Sequence, residues 1–208
     1  MFSRQLTDRI RLSLSVQAHA EELFALTERN RDFLRQWLPW LDMTTGVDDT
    51  RAFLERQLYG FANGDSLTAT IFYDGKAAGV AGFNTIDRTN GIGSIGYWLG
   101  EEFNGKGIMT RVVEDLIEIG REHYSLQKIE IRCAPENARS RAIPRRLGFQ
   151  YEGTLRRAER IYDGWHDSEG IRCCCEGAGT PLRRSRVLEN QVGLRRPRRA
   201  ETEMRKGR

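Results

Sequence analysis

Histidine is scarce in this chain, three in 208 residues. His19, His123 and His166 share no ligand-like spacing, so the sequence gives no ground for a metal centre or a Ser-His-Asp triad. Cysteine is equally sparse. Cys133 stands alone while Cys173, Cys174 and Cys175 are consecutive, which is neither a disulfide framework nor a CxxC metal motif and fits a reducing compartment. No long apolar run is present, and Arg4, Asp8, Arg9, Arg11, Glu21 and Glu22 already charge the opening segment; this excludes a membrane span and a signal peptide and leads us to expect a cytoplasmic protein. Neither GxGxxG nor GxxxxGK[ST] occurs, so the Rossmann fingerprint and the P-loop are also missing.

What is present is enough for a core. Hydrophobic residues make up 39% of the chain and charged residues 30%, a balance that predicts one globular domain rather than a disordered chain. The net charge of +4 is unevenly placed: residues 170–208 hold eleven Lys or Arg against four Glu, so residues 1–169 are net acidic. The basic excess belongs to a tail without apolar periodicity, which is either simply solvated or a nucleic-acid arm. The body has no nucleic-acid signature.

The hydrophobic pattern alternates between strand and helix periods. Residues 9–14 alternate through Ile10, Leu12 and Leu14 as a short strand. A helical stretch follows on Leu23, Phe24, Leu26, Phe33, Leu34, Trp37 and Leu38, with its period broken near 29–31 and stopped by Pro39. Asp48 and Asp49 open a second helix whose apolar face is Phe53, Leu54, Leu58 and Phe61, closed by Asn63-Gly64. Residues 67–73 and 76–86 flank Asp74-Gly75 as a hairpin. A strand over 91–99, an amphipathic helix bearing Met109, Val112, Val113, Leu116, Ile117 and Ile119, a strand over 128–133, a short helix over 138–147 and a strand from 148 toward Ile161 complete a mixed α/β sheet protein.

Gly105 and Gly107 lie between a strand and an amphipathic helix, where small residues admit an anion to the free amides of a helix start. Two glycines alone fit a plain strand-to-helix turn equally well. Three segments together are more specific: Ile95-Gly96-Tyr97-Trp98-Leu99, Asn104-Gly105-Lys106-Gly107-Ile108-Met109-Thr110, and Glu136-Asn137-Ala138-Arg139-Ser140 leading to Leu147-Gly148-Phe149. In this order and spacing they resemble the GNAT N-acetyltransferases, and more narrowly the branch that acetylates N-terminal serine or alanine of ribosomal proteins. The resemblance covers about residues 5–168 and includes Asn30-Arg31-Asp32-Phe33-Leu34 and Gly82-Phe83-Asn84.

The resemblance implies a mixed, mostly antiparallel central sheet splayed open between the strands at 91–99 and 128–133 and flanked by helices, with acetyl-CoA as co-substrate in the opening and no metal. It implies that backbone groups of Tyr97, Trp98 and Leu99 pair with the pantetheine arm, and that amides of Asn104, Gly105, Lys106, Gly107, Ile108, Met109 and Thr110 hold the pyrophosphate, with Lys106 adding charge. The family commonly has Gln or Arg three positions before the first glycine; here Glu102 stands there, which leaves the backbone cradle intact without side-chain help. Asn137 and Ser140 match the family's Asn-x-x-Ser, where Asn contacts pantetheine and Ser lies near the thioester sulfur; Asn137 also suits a plain helix N-cap. A leaving thiolate needs a proton, and the Ser140 hydroxyl can supply one; in other branches of the family a nearby tyrosine does this, but none lies between Ser125 and Phe149. Glu159 matches a carboxylate near the acceptor amine in this branch and would take its proton, although between Arg157 and Arg160 it also reads as a solvated strand residue. Phe33, Trp37, Leu38, Trp40 and Leu41 cluster where the family forms its acceptor wall, with Asn84 beside them, and serve either as that wall or as core. Cys133 reads as a buried small apolar residue.

The expected function is acetyl transfer to an amine, foremost a protein N-terminal α-amine. A small-molecule amine, a non-catalytic acyl-CoA-binding module and, for the tail, RNA or ribosome attachment are the alternatives. After Tyr162-Asp163-Gly164-Trp165-His166-Asp167 the family inserts a last apolar strand between two existing ones, yet here the chain reads Gly170-Ile171-Arg172-Cys173-Cys174-Cys175 and turns Arg-rich. In one back-translation, deleting a single G converts this segment to Val-Tyr-Ala-Val-Val-Ala-Lys. A one-nucleotide insertion near Glu169 is therefore the expected origin of a tail over 170–208, with Ile171, Cys173 and Cys175 still pointing one way into the slot and disorder from about residue 178.

Overall fold

The computed structural model describes residues 3–162 and 164–174, and everything stated of the structure concerns these. In chain order come β1 (Ser3–Gln5), β2 (Ile10–Leu14), α1 (Ala20–Arg29), α2 (Arg31–Arg35), a 3-10 turn (Pro39–Met43), α3 (Val47–Asn63), β3 (Leu67–Tyr73), β4 (Lys76–Asp87), β5 (Ile92–Leu99), α4 (Ile108–Tyr124), β6 (Lys128–Cys133), α5 (Ala138–Arg146), β7 (Gln150–Ile161) and β8 (Gly164–Cys174). The strands form one sheet in the order β1-β2-β3-β4-β5-β6-β8-β7. Every neighbouring pair is antiparallel except β5 with β6.

Local chemistry explains most boundaries. The helical stretch expected over 23–38 divides because Asn30, with φ −115° and ψ 14°, ends α1 and begins α2. Its side chain is used at that break, accepting from the Glu101 amide at 2.8 Å and donating to Leu26 O at 3.0 Å. At the start of α3 the Asp49 carboxylate accepts from the amides of Thr45 and Gly46 at 2.8 and 3.0 Å. These bonds hold its pKa below the ordinary carboxylate value, as expected for an N3 acid that closes a helix start. The Asp74-Gly75 turn takes positive φ at both residues, 51° and 79°, the geometry of the tight hairpin expected there.

Two apolar layers flank the sheet. Leu23 of α1 and Leu54 of α3 pack with Phe72, Ala77 and Val80 on one side. On the other, α4 contributes Ile108, Met109, Val112, Val113, Leu116, Ile117 and Ile119 to a larger cluster with Phe83, Ile95, Ile129, Ile131 and Ile171. The strand β1 was not expected, because Ser3-Arg4-Gln5 offers no apolar alternation. It is held by Arg4, which bonds Asp115 of α4 at 3.0 Å and Glu118 at 3.1 Å.

β8 lies between β6 and β7, pairing Ile171 with Ile131 and with Tyr151. The strand runs on to Cys174 and so takes in residues 170–174 of the segment that composition sets apart. Ile171 is buried and Cys173 half-buried. Cys175 and the disorder expected from about residue 178 lie outside the described residues.

Candidate functional site

The sheet opens between β5 and β6, where the resemblance implies the opening. β5 and β6 pair from Ile92 with Lys128 as far as Ile95 with Ile131, and no further. Beyond that point residues 96–99 remain paired with β4 on their other edge, so one row of their backbone donors and acceptors faces the split. An extended ligand can add there as a strand would. At the head of the split the loop before α4 turns through Gly105 and Gly107, with φ of 75° and 73° and no atom within 4 Å of a Cβ built at either. The first amides of α4 have no acceptor within the helix, and the open space beside the two glycines gives an anion room to approach them.

The side chains of this loop do less than expected. The Lys106 ammonium donates to Glu102 O at 2.6 Å and sits 5.5 Å from the rings of Tyr73 and Phe103, so its head is tied to the preceding turn. Asn104 donates to Glu101 O at 3.2 Å and to Gly100 O at 3.4 Å, bracing the same turn. Thr110 Oγ1 accepts from Arg146 of α5 at 2.8 Å. Arg146 had no motif to announce it; it stands beside the cradle only because α5 packs on α4.

Two cavities flank the split. A narrow cleft of about 120 Å³ is lined by Phe33, Leu34, Trp37, Leu38, Tyr97, Trp98, Leu99, Asn104, Met109, Asn137, Arg139, Ser140 and Ile143. A second cavity of about 750 Å³ is lined in part by Trp37, Trp40, Met43, Phe53, Arg56, Asn84, Trp98, Arg132, Cys133, Asn137, Ser140, Glu159 and Ile161. Trp37, Leu38, Tyr97, Trp98, Asn137 and Ser140 belong to both, so the two meet at these residues. Trp40, 39% exposed, lies 6.2 Å from the Trp98 ring. Phe33 was grouped with the acceptor wall, but it faces the narrow cleft beneath the Arg139 guanidinium, 5.5 Å from the ring.

Ser140 stands at the meeting point. Its amide donates to Asn137 Oδ1 at 3.0 Å, so Asn137 is an N-cap as well as a cavity wall. The Ser140 hydroxyl donates to the Tyr97 phenol oxygen at 3.3 Å, and the phenol donates to the Ser140 carbonyl at 3.0 Å. A tyrosine is therefore at the site, contributed by β5 from 43 residues away in sequence and invisible to a search of residues 125–149. Burial raises the Tyr97 pKa far above its ordinary value. Burial likewise pushes the neighbouring Cys133 thiol up to about 11, with the Glu169 charge acting in the same sense and the Ser140 hydroxyl opposing. Cys133 is 8% exposed, a neutral wall residue rather than a thiolate.

Glu159 reaches the larger cavity from β7. The strand pairs Leu155 with Ser168 and Glu159 with His166, so its register shifts between them. Arg157 adopts φ 50° inside that bulge, pinned by its amide on Asp167 Oδ1 at 2.9 Å. Bulges re-aim side chains in this way. The end of β7 is anchored by Tyr162, whose hydroxyl donates to Arg35 O at 2.6 Å beneath the Arg35 guanidinium. Among the described residues no group of three or more His, Cys, Asp or Glu could hold a metal ion, and no helix is long and apolar enough to cross a membrane.

Comparison with known proteins agrees with this geometry. Residues 9–150 match the acetyltransferase (GNAT) domain family. The ribosomal-protein-serine acetyltransferase of Escherichia coli (strain K12) is 30% identical over 168 residues, covering 78% of this chain and 94% of that protein. Among solved structures, the microcin C7 self-immunity acetyltransferase MccE in complex with acetyl-CoA and AMP aligns with a TM-score of 0.78 at 33% identity, covering 81% of this chain and 94% of that one. RimL, the ribosomal L7/L12 α-N-protein acetyltransferase, in complex with coenzyme A aligns with a TM-score of 0.80 at 28% identity, covering 83% and 98%.

Proposed function

The chain belongs to the GNAT acetyltransferase family, and from that premise we propose that this acetyl-CoA-dependent N-acetyltransferase acts on the N-terminal α-amine of a protein, serine or alanine, on a ribosomal protein in the cytoplasm. The observation that carries this reading is the meeting of a narrow cleft and a wide cavity at Ser140. The cleft suits the thin pantetheine arm. The cavity is wide enough for several residues of a chain end, and Glu159 is the carboxylate on its wall that no other described side chain engages.

In this reading the backbone of Tyr97, Trp98 and Leu99 pairs with the pantetheine arm, Asn137 and Met109 line its path, and the amides of residues 104–110 hold the pyrophosphate. Trp37, Trp40 and Asn84 contact the acceptor, with Phe33 behind the cleft. Glu159 takes a proton from the incoming ammonium, directly or through a water. The freed amine attacks the thioester carbonyl carbon and the C–S bond breaks; the departing thiolate receives the Ser140 hydroxyl proton, and the surplus proton on the acylated nitrogen returns to the Ser140 oxygen, directly or through a water, leaving a neutral amide. The α-amine is the favoured acceptor because its pKa near 8 makes deprotonation by a carboxylate far less costly than for a lysine side chain.

A second reading, an amine on a small molecule, is favoured by the Trp40 and Trp98 pair, which offers flat apolar faces at the cavity, and by likeness to the self-immunity enzyme solved with AMP. Mass spectrometry of acetylation across peptides beginning with Ser, Ala or Met, alongside aminoacyl nucleotides, polyamines and amino sugars, separates the two. Preferential labelling of Ser or Ala peptides at the α-amine supports the first reading. Labelling confined to small amines overturns it.

A further inference from the structure

We propose that Tyr97 is a positioning residue for acetyl transfer, its phenol fixing the Ser140 hydroxyl where the two cavities meet; the inference rests on the proposed proton-donating role of Ser140. It begins from a proline. Pro144 lies inside α5, four residues after Ser140. In an uninterrupted helix the amide of residue 144 would donate to the Ser140 carbonyl, but proline has no N–H and its ring crowds that same carbonyl. The Ser140 carbonyl is thus left without its helical donor. The Tyr97 hydroxyl supplies one from across the split, at 3.0 Å.

A phenol has one proton to give and lone pairs to receive with. With its proton committed to the Ser140 carbonyl, the Tyr97 oxygen is free to accept, and it accepts from Ser140 Oγ at 3.3 Å. The one side chain therefore holds both the backbone and the hydroxyl of Ser140, while Asn137 holds its amide. A serine in the first turn of a helix otherwise samples several rotamers and turns readily toward backbone acceptors. Here the hydroxyl is kept at the wall shared by cleft and cavity. Because the Tyr97 proton is committed to the Ser140 carbonyl, this group orients the serine and does not itself donate to the thiolate.

The test is a double-variant cycle on the full chain, with kcat and KM for acetyl-CoA measured on the best acceptor from the acetylation screen. Tyr97→Phe keeps the ring and removes the hydroxyl; it should lower kcat about five- to tenfold, with KM for acetyl-CoA within about twofold. Ser140→Ala should cost at least as much. The double variant should be no slower than Ser140→Ala alone, because Tyr97 acts only through that hydroxyl. If Tyr97→Phe leaves kcat unchanged while Ser140→Ala lowers it, the positioning role is overturned and the Ser140 role stands. If Tyr97→Phe is slow and Ser140→Ala is not, the Ser140 role fails and the inference fails with it, as it also does when the two losses multiply. Should Tyr97→Phe not fold, Tyr97→Leu removes the same hydroxyl and is read the same way.

Discussion

Glu159, Gly107 and Cys133 each make a different physical demand. Replacing Glu159 by Gln preserves size and polarity but removes the basic site that would take the ammonium proton. Turnover should fall about 100-fold or more at neutral pH, with acetyl-CoA affinity unchanged; titration calorimetry and steady-state rates on the same sample check the separation, and equal turnover would return Glu159 to a surface role. Gly107→Val acts on binding. A branched Cβ would enter the open cradle at a φ of 73° that L residues rarely adopt, so acetyl-CoA affinity should fall at least tenfold while unfolding stays cooperative. Cys133 gives a pH dependence. Alkylation needs the thiolate, and with the thiol pushed up to about 11 the protonated form dominates below that pH. Labelling of the Cys133 peptide by iodoacetamide in the native protein should therefore be slow at neutral pH and accelerate as pH climbs through about 11, whereas an unperturbed cysteine accelerates through about 8.5.

Elements that the sequence announced are those whose signal is local. Sequence pattern marked α3, α4 and the strands β2 to β7, and Asp74-Gly75 marked the hairpin, whereas β8 was expected only through the family resemblance. What escaped depends on contacts far apart along the chain. Tyr97 meets Ser140 across the split, Tyr162 reaches Arg35 over 127 positions, and no periodicity encodes either. The glycine cradle was legible because φ preference is local, but the engagement of Lys106 with the preceding turn was not. The link between α5 and β8 is of the same long-range kind. Arg141 donates to Pro135 O at 2.7 Å and brings its Nε to 2.6 Å from Glu169 Oε2. The N–H is not aligned on that oxygen, so the contact is Coulombic rather than a formed hydrogen bond. Glu169 is only 9% exposed, and a charge left there alone is costly. Arg141→Met should strand that carboxylate and lower stability by about 2 kcal/mol, the exposed part of Arg141 moderating the loss. Thermal unfolding should register this as a Tm drop of about 4–8 °C, and an unchanged Tm would mean the pair is worth no more than a surface contact.

For the whole molecule the decisive boundary is the one inside β8. Composition changes at Gly170, yet the strand continues through Ile171 to Cys174, bonded to β6 on one side and β7 on the other. An interior strand satisfies backbone groups of both neighbours, so its loss exposes two unpaired edges as well as the apolar surface under Ile171. Two truncations discriminate between the compositional and structural boundaries. A chain ending at residue 177 retains every described element and should keep cooperative unfolding, with Tm within a few degrees of the full chain and acetyl-CoA affinity unchanged. A chain ending at residue 169 loses the second half of β8 precisely where it braces Ile131 and Tyr151; it should unfold without a sharp transition or fail to bind acetyl-CoA. Full stability in the shorter chain would show that residues 170–174 contribute nothing to the sheet, and would place the end of the domain at the point where the composition turns.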